Sequence, residues 1–158
     1  MALTSPVKFL ITIVGTLVLG SLSGLVTVDA ISGWYASLNK PSFNPPNWVF
    51  GPAWTVLYIL MGLAAGLVWC SEGDAALKRR ALMAYVVQLG LNLAWSLIFF
   101  GLQAPKLALV EIIVLWIAIV WCIRVFRPVH AVAAYLLVPY LLWVTFASVL
   151  NGAIVVLN

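Results

Sequence analysis

Charge is what this chain is short of. Only 8% of its 158 residues are charged, with four acids against eight bases, and it has one histidine and two cysteines. So few charges do not make a water-facing shell. With 65% hydrophobic residues and a mean hydropathy of +1.16, a soluble catalytic domain is excluded and the chain reads as an integral membrane protein. The net charge of +4 comes from bases scattered between apolar runs, with no basic face on which a duplex could lie, which sets nucleic acid aside. No Cys/His cluster has metal-ligand spacing. Cys70 and Cys122, each near the end of an apolar run, read as small packing residues.

What is abundant is long apolar sequence. Runs at about 9–28, 49–70, 81–102, 107–126 and 131–157 are each long enough to cross the hydrocarbon and too continuous for barrel strands. The expectation is an all-α five-helix transmembrane bundle, one domain over 1–158, with a lid loop at 29–48. The first run follows Lys8 in the manner of a signal peptide. Its apolar stretch exceeds the usual signal core, so it is read as an uncleaved span. Lys8, Lys78, Arg79, Arg80, Arg124 and Arg127 fall on one side of the membrane, and Lys40 and Lys106 on the other. The positive-inside rule then puts the N-terminus in the cytoplasm and the C-terminus outside. Short connections predict that helices adjacent in sequence are usually antiparallel neighbours. Gly20-Ser-Leu-Ser-Gly24 and Gly62-Leu-Ala-Ala-Gly66 are small-xxx-small patterns that serve either packing within the chain or a dimer face.

Depth along each span singles out a set of residues. At 1.5 Å of rise per residue, Trp54 and Tyr58 lie about 9 and 15 Å below the outer surface, Asn92 and Trp95 about 15 and 10 Å, Glu111 about 8 Å, and Trp143 and Ala147 about 12 and 6 Å. Each residue also has a plainer use. Trp48, Trp54 and Trp95 can be belt residues, as can Trp69, Trp116 and Trp121, and Asn92 can simply bond a neighbouring helix. Glu111 either faces a partner or cavity, or is a neutral acid bonded to a carbonyl. Together, aromatic and lone polar groups from four helices at one level predict a pocket suited to a large planar ligand such as a tetrapyrrole or a sterol. The loop Trp34-Tyr-Ala-Ser-Leu-Asn-Lys-Pro-Ser-Phe-Asn-Pro-Pro-Asn-Trp48 sits over its mouth. Its prolines stiffen it either as a lid or as a plain connector.

That loop resembles the signature of the translocator protein family, also called tryptophan-rich sensory proteins or peripheral benzodiazepine receptors. Gly51-Pro-Ala-Trp-Thr-Val-Leu-Tyr58, Gln88-Leu-Gly-Leu-Asn-Leu-Ala-Trp-Ser96 with Phe99-Phe-Gly101, and Pro139-Tyr-Leu-Leu-Trp143 with Phe146-Ala-Ser-Val-Leu-Asn151 resemble the family's motifs in its second, third and fifth helices. The resemblance implies a five-helix membrane protein, often dimeric, that binds porphyrins and haem-related tetrapyrroles and, in animal members, cholesterol and benzodiazepine-type ligands. It implies ligand contacts from Trp54, Tyr58, Asn92, Trp95, Trp143, Ala147 and Leu150, with Tyr35 and Pro45 supplied by the lid. The Tyr and Arg that follow Leu-Asn in animal members are missing after Asn151, which favours a bacterial-type member binding tetrapyrroles over one using the cholesterol motif.

Three functions follow from this reading. The first is a receptor or translocator with porphyrin as ligand and no required cofactor, in contact with membrane lipid and able to form a homodimer. The second is a light-dependent porphyrin-degrading enzyme, with Trp54 and Trp143 as electron donors, since the resemblance implicates those two positions. The third is a structural bundle whose groove takes lipid or a partner helix. No general acid–base set is visible, because His130 lies in a connection and Glu111 is the only acid in an expected span.

Overall fold

Backbone groups in hydrocarbon have no water to bond, so an apolar chain of this kind satisfies them within its own helices. The structure, a computed structural model, describes residues 4–158 apart from the side chains of Val26, Val28 and Asp29. Helix α1 (Ser5–Ser32) starts with Pro6 in its first turn, where a missing N–H interrupts nothing. The connection that follows holds a single helical turn, α2 (Trp34–Ser37), and a 3-10 turn at Asn47–Val49 leading into α3 (Phe50–Cys70). Helix α4 (Ala75–Ser96) is capped by Asp74, whose carboxylate accepts the N–H of Ala76 at 2.7 Å and of Leu77 at 3.4 Å.

Helix α4 runs into a π turn at Leu97–Gly101, closed by the Leu102 N–H on the Leu97 carbonyl at 2.8 Å. Gln103 then takes a left-handed φ of 52°, which ends the helix before α5 (Pro105–Phe126) begins. The last span is two helices, α6 (Ala131–Leu136) and α7 (Val138–Leu157). They part at Pro139, which has no N–H for the Tyr135 carbonyl and crowds it.

Among the described residues, five segments are long and apolar enough to cross a membrane: Ser5–Ser32, Asn47–Cys70, Ala75–Gly101, Pro105–Phe126 and Ala131–Leu157. The protein is an all-α, multi-pass integral membrane protein. Hydropathy alone places the start of the third span at 81, whereas the helix begins at Ala75. The difference is the basic run Lys78-Arg79-Arg80, too polar for a hydropathy window yet held helical by the Asp74 cap.

The helices close a ring. Helix α1 lies on α3, α3 on α6, α7 on α5, α5 on α4, and α4 with its π turn returns to α1. Sequence neighbours α3 and α4 touch less extensively than α3 touches α1 or α6, so chain order alone does not give the ring order. One core cluster, including Met61, Ala64, Val68, Ile119 and Phe126, fills the bundle. A smaller one, of Tyr35, Phe99, Ala108, Leu150 and Ile154, lies beneath the 33–48 connection.

Glycine sets the α1–α3 spacing. A Cβ on Gly62 would sit 2.6 Å from the Ile13 Cα, and one on Gly66 would strike the Phe9 ring. One on Gly20 would overlap the Tyr58 ring, whereas Gly24 and Gly51 face open space. The glycines of both small-xxx-small patterns that make close contacts therefore meet partners within the chain. Gly62→Leu should lower stability by about 1–3 kcal/mol, because it forces backbone apart. Gly24→Ala should not destabilise the protein, and thermal unfolding of both variants in one detergent checks the contrast.

Candidate functional site

At the end of the bundle covered by the 33–48 connection, the ring of helices encloses a cavity of about 520 Å³. This lies within the range of small-molecule sites. Its wall is aromatic on α3, α4 and α7. Trp54 stacks on Tyr58 with ring centres 5.4 Å apart and meets Trp143 edge-to-face at 6.4 Å. Trp95 stacks on Phe99 at 5.0 Å, and Trp143 packs against Phe146 at 5.7 Å. The facing wall, on α1, is small and weakly polar, with Gly20, Ser21, Ser23, Gly24 and Thr27. No Asp, Glu, Lys, Arg, His or Cys lines the cavity among the described residues, and no group of three or more His, Cys, Asp or Glu residues there could hold a metal.

The helices place these groups by simple periodicity. Trp54 and Tyr58 are i,i+4 on α3, and Trp143, Ala147 and Leu150 follow at helical spacing on α7, so each set shares one face. The π turn adds a residue to the end of α4 and brings Phe99 and Phe100 to the cavity alongside Trp95 and Ser96. Such turns inside helices recur at functional sites. Asn151 lies at the margin, taking the Trp95 indole N–H on Oδ1 at 3.4 Å and donating from Nδ2 to the Pro105 carbonyl at 2.9 Å. This holds the Trp95 ring against the wall.

Of the residues expected at a site, Tyr35, Trp54, Tyr58, Trp95, Trp143, Ala147 and Leu150 all line this one cavity. Asn92 and Pro45 do not. Asn92 is 1% exposed and lies behind Tyr58, accepting its hydroxyl on Oδ1 at 3.0 Å. Its side-chain carbonyl is thus engaged by a neighbouring helix. Pro45 sits in the outer part of the connection, which reaches the cavity instead through Tyr35, Asn47 and Trp48. Glu111 meets neither of its two readings. It is absent from the lining, and its enclosed carboxylate oxygens have no hydrogen-bond partner. Trp48 is 75% exposed at the rim. Trp116 is also exposed and donates to Thr145 Oγ1 at 2.9 Å.

The α1 wall was missed by depth reasoning. Its signal was the Gly20–Gly24 pattern, in which Gly20 does pack on Tyr58 while the residues around it face the cavity. Phe99, Phe100 and Phe146 belong to the family-like motifs, and the structure places all three in the cavity wall. For the α4 pair, only the π turn decides where the rings point.

The covering connection is well tied down. Lys40 Nζ donates to the carbonyls of Tyr35, Ala36 and Leu38 at 2.8, 3.1 and 2.9 Å. The buried Tyr35 hydroxyl donates to Asn44 Oδ1 at 2.7 Å. Asn39 and Asn158 clasp one another: the Asn39 N–H donates to Asn158 Oδ1 and Asn158 Nδ2 donates to the Asn39 carbonyl, each at 3.0 Å. Burial raises the Tyr35 pKa to about 12, so its phenol stays neutral and able to donate well above the ordinary tyrosine range.

Below the cavity floor lies a polar cluster. Tyr58 bonds Asn92, and Tyr85 bonds Thr16 across to α1. The Gln88 amide and the Tyr140 hydroxyl are buried at the same level without a hydrogen-bond partner of good geometry. The floor is therefore built from contacts among α1, α3 and α4, with Tyr140 of α7 alongside.

Comparison with known proteins is consistent with this architecture. The sequence profile of the TspO/MBR family matches residues 12–157. The chain is 44% identical to "Tryptophan-rich protein TspO" of Archaeoglobus fulgidus over 151 residues, covering 96% of this chain and 97% of that one. It is 42% identical to "Tryptophan-rich sensory protein" of Cereibacter sphaeroides over 125 residues, 79% of this chain and 77% of the relative. The human "Translocator protein" is 43% identical over 119 residues, 75% of this chain and 70% of the human one.

Two outcomes follow from the site geometry. Asn92→Ala strands the Tyr58 hydroxyl and should cost about 1–3 kcal/mol in unfolding free energy, read as a lower thermal midpoint. Because the raised folded pKa of Tyr35 favours the neutral phenol, its stabilising contribution is complete below the ordinary tyrosine pKa of about 10. It should be lost as pH climbs through about 12. Thermal midpoints measured across that window should fall more steeply in the wild type than in Tyr35→Phe.

Proposed function

Because the chain belongs to the TspO/MBR family of integral membrane proteins, we propose that it is a receptor or translocator for a planar, hydrophobic tetrapyrrole, held in the aromatic cavity beneath the 33–48 connection. The observation that carries this reading is the cavity wall itself. Trp54, Tyr58, Trp95, Phe99 and Trp143 present ring faces and edges to one space of about 520 Å³ with no charged side chain among its described lining residues. Flat aromatic surfaces favour a flat π-system in offset or edge-to-face contact. Among the described residues an inorganic ion would find no charged side chain in that wall.

The same wall favours a metal-free macrocycle such as a porphyrin. Among the described residues no histidine, cysteine or methionine lines the cavity to serve as an axial ligand for haem iron, and the hydroxyls of the two lining tyrosines, Tyr35 and Tyr58, are already bonded to Asn44 and Asn92. Carboxylates on the macrocycle edge would stay at the rim, since nothing in the wall would pair them and a buried lone charge is costly. The proposal includes an N-terminus on the cytoplasmic side of a bacterial-type membrane, because Lys78, Arg79, Arg80, Arg124 and Arg127 gather at the end opposite Lys40 and Lys106. The names of the relatives, translocator and sensory protein, agree with a binding role and leave the ligand open.

A second reading is favoured by one observation. Trp54 and Trp143 meet at 6.4 Å in the wall, so a photoexcited macrocycle in the cavity would have indole donors beside it. Light-driven porphyrin degradation would then use those two side chains.

Titration of the purified protein with protoporphyrin should quench tryptophan fluorescence to saturation, and Trp143→Phe should weaken binding about three- to tenfold by removing one aromatic contact. Unchanged fluorescence would leave only a groove for lipid. The second reading requires a new absorbing product on illumination that is lost in Trp54→Phe. Equal bleaching without protein would reject it.

A further inference from the structure

We propose that the cavity takes its ligand from the hydrocarbon and not from the water, through a lateral opening between α1 and α3 whose rim is Ser21, Gly24 and Leu25 on one side and Gly51 and Thr55 on the other. This inference rests on the ligand-binding reading above and narrows its substrate class to molecules dissolved in the membrane.

The first ground is the shape of the α1–α3 seam. Away from the cavity the two helices are in backbone contact, with no room for a Cβ at Gly62 or Gly66, and at Gly20 the α1 backbone presses on the Tyr58 ring. One turn further along, contact ends. Among the described residues, a Cβ on Gly24 or on Gly51 would meet nothing within 4 Å. Beyond this point α1 leans on the π turn that follows α4, and Ile31 and Trp34 pack with Phe99. The pair is therefore tight at one end, and at the other the cavity lies between described residues of both helices.

The second ground is that the rim residues belong to both surfaces. Ser21, Leu25, Gly51 and Thr55 line the cavity and are also exposed on the outside of the bundle, on spans that also expose the apolar side chains of Val18, Leu22 and Val56. The outside at this level is lipid. The Thr55 hydroxyl is already bonded to the Gly51 carbonyl at 2.9 Å, and none of these rim residues is charged. The flat apolar body of a macrocycle passing edge-on between the helices would meet no ion on these rim residues, with its edge carboxylates trailing toward the interface.

The third ground is that the alternative route is fastened. The covering connection is held by Lys40 on three carbonyls, by the Tyr35–Asn44 bond and by the Asn39–Asn158 clasp. Phe43 also packs on Phe146 with ring centres 6.4 Å apart. Passage from the water would break several of these at once. Passage from the side breaks none.

The test uses the full chain in lipid nanodiscs and free-base protoporphyrin delivered in phosphatidylcholine vesicles, with tryptophan quenching followed in time. In Ser21→Phe/Gly51→Phe, rings grow from exposed rim positions across the gap. Association and dissociation should both slow about tenfold or more, as a narrowed passage requires, whatever shift the added rings cause in the equilibrium quenching. Asn39→Ala/Asn158→Ala, which opens the clasp, should exchange ligand at the wild-type rate. Wild-type rates in the rim variant, or faster exchange in the unclasped one, would overturn the proposal. Should the rim variant lose equilibrium quenching, Leu25→Phe must reproduce the slow exchange, and its failure to do so is equally fatal. Absence of quenching in the wild type at equilibrium is a different result, because it removes the porphyrin and leaves the route without a ligand.

Discussion

Everything in this bundle hangs on how closely α1 can approach α3. Two helices in lipid gain little from hydrophobic association, so their attraction comes from dispersion between surfaces that fit, and small residues let backbones reach that distance. Gly62 and Gly66 supply the fit on α3, against Phe9, Thr12 and Ile13. With this end of the seam closed, the remaining helices pack a solid core around Met61, Val68 and Ile119. The space is displaced to the other end, where α1 leaves α3 for the π turn. Cavity and close contact are two ends of one helix pair.

The second level of organisation is a division of polar groups by depth. At the cavity floor, hydroxyls and amides bond one another: Tyr58 with Asn92, and Tyr85 with Thr16. These contacts cross between spans, so they hold the floor against the rest of the bundle, and a buried amide left without Tyr58 would carry its full desolvation cost. In the wall above, polarity is limited to hydroxyls and an occasional amide, with aromatic surface between them. The roof is again hydrogen-bonded, now by backbone carbonyls around Lys40. A soft middle between two polar layers is what a large apolar ligand needs.

Much of this was legible in the residues alone, and the reasons are specific. The number of spans follows from hydrophobic length, and the level shared by Trp54, Tyr58, Trp95 and Trp143 follows from rise per residue, because both depend only on regular helix geometry. The start of α4 did not, since Asp74 overrides a polar stretch that hydropathy discards. Rotation about the helix axis was the weak point. Depth put Asn92 and Glu111 at the right height for the cavity, but height does not say which way a side chain points. Asn92 turns to Tyr58, and Glu111 is enclosed elsewhere without a partner. The π turn was invisible because it is a backbone register shift, and the aromatic pair that it carries moved with it.

The wall's lack of full charges also bears on how such a site responds to an energised membrane. An electrical potential difference does work only on charge that moves along the field, about 2.3 kcal/mol per elementary charge per 100 mV. A compartment whose lining bears no carboxylate, ammonium, guanidinium or imidazole among the described residues offers that field almost nothing to pull. Occupancy by an uncharged guest would be governed by how the guest partitions between lipid and protein, and would stay the same whether the membrane were polarised or at rest.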